Sequence, residues 1–308
     1  MKCRKCNNTA AINMRQHKLA LCKGHFLDWL VGQTQRFIHK YHMFSHEDNL
    51  LVSVSGGKDS LALWDILIRL GYKADGLYIG LGIEEGINYS SYSEQLCKEF
   101  ASKYNTRLIV VNIAEQYGES IPQLALKSNR AKAKPCSVCG LIKRHVMNFV
   151  AHESHYDVLL TGHNLDDEAA VLFGNTLYWK PGYLHRQWPV LEANRPGVIR
   201  KAKPLCRFYE KEMAAYTFLR GIKYIYEECP FASGAKSIYY KGFMNTLEAN
   251  QPGTKLQFYL SFLQAKAGGL FAENADPEIE AIHACLSCGS PTSAPGECAF
   301  CRLVKTDH

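Results

Sequence analysis

Leu50-Leu51-Val52-Ser53-Val54-Ser55-Gly56-Gly57-Lys58-Asp59-Ser60 is the stretch that decides the fold. Its first five residues form a short apolar run suited to a strand buried on both faces of a parallel sheet. Gly56 and Gly57 then turn the chain with no Cβ in the way, so backbone N–H groups can face an anion. Lys58 adds positive charge and Ser60 a further donor. The dipole of the helix expected over residues 61–70 favours negative charge at the same point. Together these features make a pyrophosphate cradle. The spacing differs from the G-x-x-x-x-G-K-[ST] loop, which wraps a β-phosphate more widely. A Gly-Gly pair alone would read as an ordinary turn, but the full S-G-G-K-D-S after an apolar strand reads as a binding loop.

Working outward, short apolar runs at 77–80, 108–111 and 158–162 predict three more strands. Helices are expected over 92–104 and 141–152 and from about residue 167. The alternation predicts an α/β fold with an open, doubly wound parallel sheet, whose ligands sit at the carboxyl ends of the strands. Apolar residues at helical intervals (Phe26, Leu30, Phe37, Tyr41) predict a helix leading into this domain. Residues 175–204, rich in Pro, Gly, Trp and Arg, read as an irregular loop, 208–221 as a helix, and 239–270 as helical again. The expected organisation is a finger at 1–28, the nucleotide domain at 29–240, a helical segment at 241–278 and a second finger at 279–308.

Thr161-Gly162-His163-Asn164-Leu165-Asp166-Asp167-Glu168-Ala169 follows the fourth strand. Carboxylates at a helix start cap its free N–H groups, and that accounts for at least one of them. Activating a neutral carbonyl oxygen also needs a metal-binding or proton-accepting acid. Asp167 is the first candidate for that role and Asp166 the second.

The 308 residues are 47% hydrophobic and 21% charged, which is ordinary for a globular chain. No apolar run is long enough to span a bilayer, and the opening MKCRKCNNTA lacks the apolar core of a secretory signal, so a cytoplasmic location is expected. The net charge of +7 fits either a plain basic surface or a polyanionic partner. Twelve cysteines are unusual, and in a reducing compartment their spacing points to metal rather than disulfides. Cys3-x-x-Cys6 with Cys22-x-x-His25 has the bite of a tetrahedral metal site, which would supply the folding energy that so small a segment lacks. Cys285-x-x-Cys288 with Cys298-x-x-Cys301 is a zinc-ribbon pattern. Cys136, Cys139 and Cys229 remain, one short of a structural zinc site. They suit a [4Fe–4S] cluster with one iron open. They also suit buried structural thiols, or redox cysteines that form a persulfide and a transient disulfide. Cys97 and Cys206 have no partner spacing and read as core residues.

S-G-G-K-D-S resembles the PP-loop ATP pyrophosphatases, which split ATP into AMP and pyrophosphate and leave AMP on a substrate oxygen. T-G-H-N-L-D-D-E resembles their tRNA-thiolating branch. The two fingers with S-G-G-K-D-S, P-C-S-V-C-G, T-G-H-N-L-D-D-E and E-E-C-P span nearly the whole chain, and the set is similar to the tRNA 2-thiouridine synthases of the TtuA type. The resemblance implies the adenine nucleotide alpha hydrolase-like fold flanked by two zinc fingers. It implies zinc on Cys3, Cys6, Cys22 and His25, zinc again on Cys285, Cys288, Cys298 and Cys301, and a [4Fe–4S] cluster on Cys136, Cys139 and Cys229. It implies ATP with Mg²⁺ along Val54 to Ser60, near Ile79 and against Gly162, with Asp59 helping to hold the cation. Lys143, one turn after Cys139, is placed to neutralise phosphate or a developing oxyanion, and also reads as a solvated surface lysine. The implied target is the 5-methyluridine of the tRNA T loop, at about position 54 of tRNA numbering, and the anticodon wobble uridine is the alternative. The implied sulfur donor is a ubiquitin-like protein with a C-terminal thiocarboxylate, and the implied assembly is a homodimer without membrane association.

An RNA substrate needs its base drawn from the stack and its phosphates held. Lys127, Arg130, Lys132 and Lys134 form one basic group. Arg195, Arg200, Lys201, Lys203 and Arg207 form another, with Tyr178, Trp179, Tyr183 and Trp188 nearby. Two rival classes lack a use for part of the set. An ammonia-dependent PP-loop ligase would not need Cys136, Cys139 and Cys229, and a non-catalytic zinc-finger RNA-binding protein would not need S-G-G-K-D-S.

Overall fold

The structure, a computed structural model, describes residues 1–127, 135–193, 197–232, 236–270 and 282–305. At the N-terminal end β1 (Ile12–Met14) pairs antiparallel with β2 (Leu19–Leu21) around a 3-10 turn, and α1 (Lys23–Lys40) follows. α1 buries Phe26, Leu27, Leu30, Thr34, Phe37 and Ile38, the face that the sequence periodicity predicts. The finger shares the core of the main body: Met14 and Leu21 are fully buried in the same apolar cluster as Trp64 and Phe208.

The nucleotide domain runs β3 (Leu50–Val54), α2 (Lys58–Arg69), β4 (Ala74–Gly80), α3 (Glu85–Tyr104), β5 (Leu108–Asn112), α4 (Ile113–Tyr117), α5 (Ile121–Lys127), α6 (Pro135–Glu153), β6 (Val158–Thr161) and α7 (Leu165–Leu177). α3 is interrupted at Gly86, Ile87 and Asn88, where the backbone leaves the helical region. α8 (Pro181–Arg186), β7 (Val190–Leu191), β8 (Arg200–Ala202) and α9 (Glu210–Arg220) follow. The sheet order is β5-β4-β3-β6-β8-β7, parallel throughout except for β7 at the edge, and β3 lies between β4 and β6. The doubly wound α/β architecture is therefore as expected.

The stretch read as an irregular loop is not one. α8, β7 and β8 lie within 175–204, and β8 extends the sheet by pairing with β6. Such short strands carry no readable period, and the open edge of β6 recruits them. α2 also begins at Lys58 and α7 at Leu165, a few residues before the expected starts, because helical geometry extends into the capping residues themselves.

α10 (Lys236–Asn250) and α11 (Thr254–Ala267) pack on α7, with Tyr259 and Leu263 joining Leu165, Leu172 and Tyr209 in a third apolar cluster. The expected boundary at residue 240 falls inside α10, and the one at residue 28 inside α1. The C-terminal finger, with β9 (His283–Ala284), β10 (Pro291–Thr292) and α12 (Ala299–Val304), packs on α6: the Phe300 ring stacks on His145 at 3.8 Å. Among the described residues no helix is long and apolar enough to cross a membrane.

Candidate active site and metal-binding cysteines

The cradle is held from three sides. Ser60 Oγ accepts the Ser55 N–H at 3.1 Å and donates to the Gly57 carbonyl at 3.0 Å, which latches the loop onto the first turn of α2. Gly56 has φ +75, and a Cβ there would stand 2.8 Å from Ser93 Cβ on α3. A Cβ on Gly162, at the end of β6, would stand 2.8 Å from the Ser60 nitrogen. Both glycines are needed because backbone meets backbone with no room for a side chain. The Gly56 carbonyl is fixed by the Ile225 N–H at 2.9 Å. The first-turn N–H groups of α2 have no partner within their helix and can receive an anion. The side chains of Val54 and Ile79 are buried, so any contact they make with a nucleotide comes from their backbone.

Charged side chains converge beside this loop. Asn164 caps α7, exchanging hydrogen bonds with Asp167 at 3.1 Å in both directions, and its Nδ2 donates to Asp59 Oδ1 at 3.1 Å. Lys58 Nζ lies 3.2 Å from Asp59 and 2.7 Å from Glu210. Lys241 Nζ lies 2.7 Å from Asp167 and 3.4 Å from Glu210. Burial, with the Asp167 and Glu210 charges adding, raises the Asp59 carboxyl above its ordinary value against the pull of Lys58. Burial also works against ionisation of Asp167 and Glu210, but Lys241 with His163 and the Asn164 N–H at Asp167, and Lys58 with Lys241 at Glu210, together outweigh it, so both are lowered. Three carboxylates face two lysines, and the surplus negative charge beside an anion cradle fits a divalent cation bridging the two.

Asp166 is differently placed. It is buried, and its oxygens accept from Lys255 Nζ at 2.5 Å and from the Glu210 N–H at 2.9 Å. These bonds tie α7 to α9 and α11. Glu168 is likewise buried and paired with Lys203 at 2.8 Å.

The terminal fingers have the geometry of single-ion sites. The ligand atoms of Cys3, Cys6, Cys22 and His25 all lie within 4.8 Å of one another, as do those of Cys285, Cys288, Cys298 and Cys301. Zn–S bonds of about 2.3 Å in a tetrahedron separate sulfurs by roughly 3.8 Å. Cys6 and Cys22 are 3.8 Å apart, and Cys288 and Cys298 3.9 Å. Burial opposes ionisation of Cys3 and Cys285, but backbone N–H donors overcome it and bring each thiol down to about 6.

Cys136 and Cys139 lie in the first turns of α6, and Cys136 Sγ donates to the Phe231 carbonyl at 3.1 Å. Burial raises the Cys139 thiol, Cys229 and Cys136 add to the rise, and Lys143 opposes it. The three thiols are thus neighbours, yet they are not among the groups whose ligand atoms fall within 4.8 Å. That wider setting fits a cluster that binds each thiolate through a different iron. Tyr89 belongs to this site: burial, then Cys229 and Cys139, raise its phenol. Ser93, one turn along α3, is the residue that abuts Gly56. Cys229 follows Ile225 by four residues, so their Cα atoms are within roughly 14 Å. The cradle and the cysteines are therefore adjacent, joined through α3 and through residues 225–229.

Residues 2–27 match the N-terminal LIM domain of 2-thiouridine synthetase TtuA, and residues 30–230 match the PP-loop domain. The chain is 48% identical over 303 residues to the tRNA-5-methyluridine(54) 2-sulfurtransferase of Thermus thermophilus, covering 98% of this chain and 91% of that one. The chain belongs to the TtuA-type family of tRNA 2-thiouridine synthases. The protein of the same name from Pyrococcus horikoshii is 38% identical, with 98% and 93% covered. Among solved structures, the U34-tRNA thiolase NcsA from Methanococcus maripaludis, described with its [4Fe-4S] cluster, shares the fold at a TM-score of 0.79 and 23% identity, covering 98% of this chain and 95% of that one.

Several residues at this TtuA-type site were not legible in the sequence. Glu210 reaches the cradle because α9 packs on α2, Lys241 because α10 packs on α7, and Tyr89, just past the break in α3, lies near Cys229 and Cys139. No motif flags any of them. Of the first basic group, Lys127 pairs with Glu119, and Arg130, Lys132 and Lys134 lie outside the described residues. The second group is largely committed elsewhere. Arg200 pairs with Glu192, Lys203 with Glu168, and Arg207 lies over the Phe37 ring, while Arg195 is outside the described residues. Trp188 packs between Tyr41 and Lys266 rather than offering a free face. Cys97 and Cys206 are fully buried, as expected, and burial pushes each up to about 12.

Proposed function

We propose that this chain replaces the C2 oxygen of a tRNA uridine with sulfur at the expense of ATP, acting on the 5-methyluridine of the T loop. The observation that carries the reading is the adjacency of the anion cradle and the cysteine triad. The N–H groups of Gly56 to Ser60 take the phosphates, and Lys58 balances their charge. Asp59 and Asp167 would hold Mg²⁺, which would offset the phosphate charge. The uridine C2 oxygen attacks the α-phosphate, pyrophosphate leaves, and AMP remains on the oxygen as a leaving group. Asp167, ionised at neutral pH, accepts the N3 proton that makes this oxygen nucleophilic. Lys143, beside Cys139, faces the charge that develops as sulfur adds and AMP departs. A [4Fe–4S] cluster on Cys136, Cys139 and Cys229 would supply an open iron for the incoming sulfur. Zinc at the two fingers has a structural part. On the family resemblance we assign the sulfur to a thiocarboxylated ubiquitin-like carrier and the working unit to a homodimer.

The test is anaerobic reconstitution with iron, sulfide, ATP and tRNA that carries 5-methyluridine but no 2-thio group, read by nucleoside mass analysis and nucleotide chromatography. One AMP and one pyrophosphate per 2-thio-5-methyluridine are expected. Release of ADP, or thiolation confined to the wobble uridine, would overturn the reaction or its target. A colourless preparation without iron that retains full activity would remove the cluster and leave the persulfide route.

A further inference from the structure

The turn after α7 is built to hold aromatic rings in solvent. Trp179 is 74% exposed and sits at φ +40, a left-handed conformation that bulky residues rarely adopt. Its N–H bonds to the Thr176 carbonyl at 3.1 Å, and Lys180 N–H to that of Asn175 at 3.0 Å, so the turn is fixed. Tyr178 and Tyr183 flank it, 57% and 59% exposed. Cations alternate with these rings. Lys180 Nζ is 5.5 Å from the ring centres of both Tyr178 and Tyr183. Arg186 is 5.2 Å from Tyr183, and Lys236 on α10 is 5.4 Å from Tyr178.

Neither contributing segment, 177–187 or 236–247, contains an acidic residue. A two-fold interface between copies through this face would bring like charges together. A polyanion with exposed bases would use both elements, its phosphates meeting the cations and its bases the rings. The face is also tied to the active site. Lys241, which pairs with Asp167 and Glu210, is five residues beyond Lys236 on α10, about 7.5 Å along the axis.

We propose that Tyr178, Trp179, Lys180, Tyr183, Arg186 and Lys236 form a stacking platform for unpaired nucleotides of the RNA substrate. It takes the part of the basic group at 200–207, whose Arg200, Lys203 and Arg207 are engaged within the protein. The inference rests on the reading of tRNA as substrate.

The test is filter binding of a tRNA transcript to the full chain across a salt series, beside equilibrium ATP binding. Trp179→Ala with Tyr183→Ala should weaken tRNA binding at least tenfold and leave ATP affinity unchanged, since stacking is the lost interaction. Lys180→Ala with Lys236→Ala should reduce the salt slope by about 2. Trp179→Phe keeps a stacking ring and should keep affinity. In the native chain, tRNA should shield the exposed tryptophan from acrylamide quenching, and Trp179→Phe should abolish that signal. Affinity of the double aromatic variant within twofold of the native chain would overturn the proposal, as would quenching that tRNA leaves unchanged. A fall in oligomeric mass by sedimentation that alone accounts for the lost affinity would assign the face to a second copy and overturn it too. A native chain that binds no tRNA would overturn the substrate reading itself.

Discussion

Asp166 and Asp167 are adjacent, and their substitutions should fail in opposite ways. Asp166 and Lys255 are both buried, 4% and 3% exposed, and paired at 2.5 Å. Asp166→Asn can keep an amide oxygen towards Lys255, but its NH2 then opposes the Glu210 N–H that the carboxylate accepts at 2.9 Å. A buried lysine is also left without its counter-ion. Breaking such a pair costs about 3–5 kcal/mol. At about 2–4 °C per kcal/mol for large domains, the melting midpoint should fall by roughly 6–20 °C. Asp167 is the reverse case. Its carboxylate is partly exposed, and Asp167→Asn retains an oxygen for the Asn164 N–H, so stability should change by about 1 kcal/mol or less. Pyrophosphate release and thiolation should fall about 10²–10⁴-fold through loss of the proton acceptor. Differential scanning calorimetry and a pyrophosphate assay on both variants, at a temperature where both are folded, separate the effects. A fully stable but inactive Asp166→Asn, together with an active Asp167→Asn, would refute the division of roles.

Gly162→Ala should push the β6 end off the Ser60 nitrogen, costing about 1–3 kcal/mol of strain. A cradle displaced by an ångström should lose on the order of 100-fold in turnover, and native turnover by a pyrophosphate assay would sink the close-approach argument. Asp65 is buried at the Arg220 fork, with bonds of 2.8 Å from Nε and Nη2. Burial opposes its ionisation, but Arg220 and Tyr216 outweigh it and lower the carboxyl below 3.8. A lowered folded value means stability that is complete above the unfolded pKa and lost as pH falls through the folded one, so Arg220→Met should flatten the melting profile below about pH 4. Chelating the ion proposed for the N-terminal finger should lower the melting midpoint of the whole nucleotide domain and not of a finger alone, because Met14 and Leu21 are in its core. A separate finger transition, seen by calorimetry, would contradict that.

The sequence by itself determined what local geometry can encode. A glycine pair between an apolar run and a helix dictates an anion cradle after β3, and alternating apolar runs dictate the wound sheet. Ligand spacing dictates the two fingers, since C-x-x-C bites are local. Local geometry could not say which of two neighbouring carboxylates is buried, because they differ only in what α9 and α11 bring against them. Nor could it find Glu210, Lys241 or Tyr89, whose partners are distant in sequence and carry no periodicity of their own. β7 and β8 were invisible for the same reason: strands this short are specified by the open edge of β6. The cradle and the candidate metal ligands are thus properties of the chain, whereas the charge balance around the cradle and its closeness to the three central cysteines are properties of the packing.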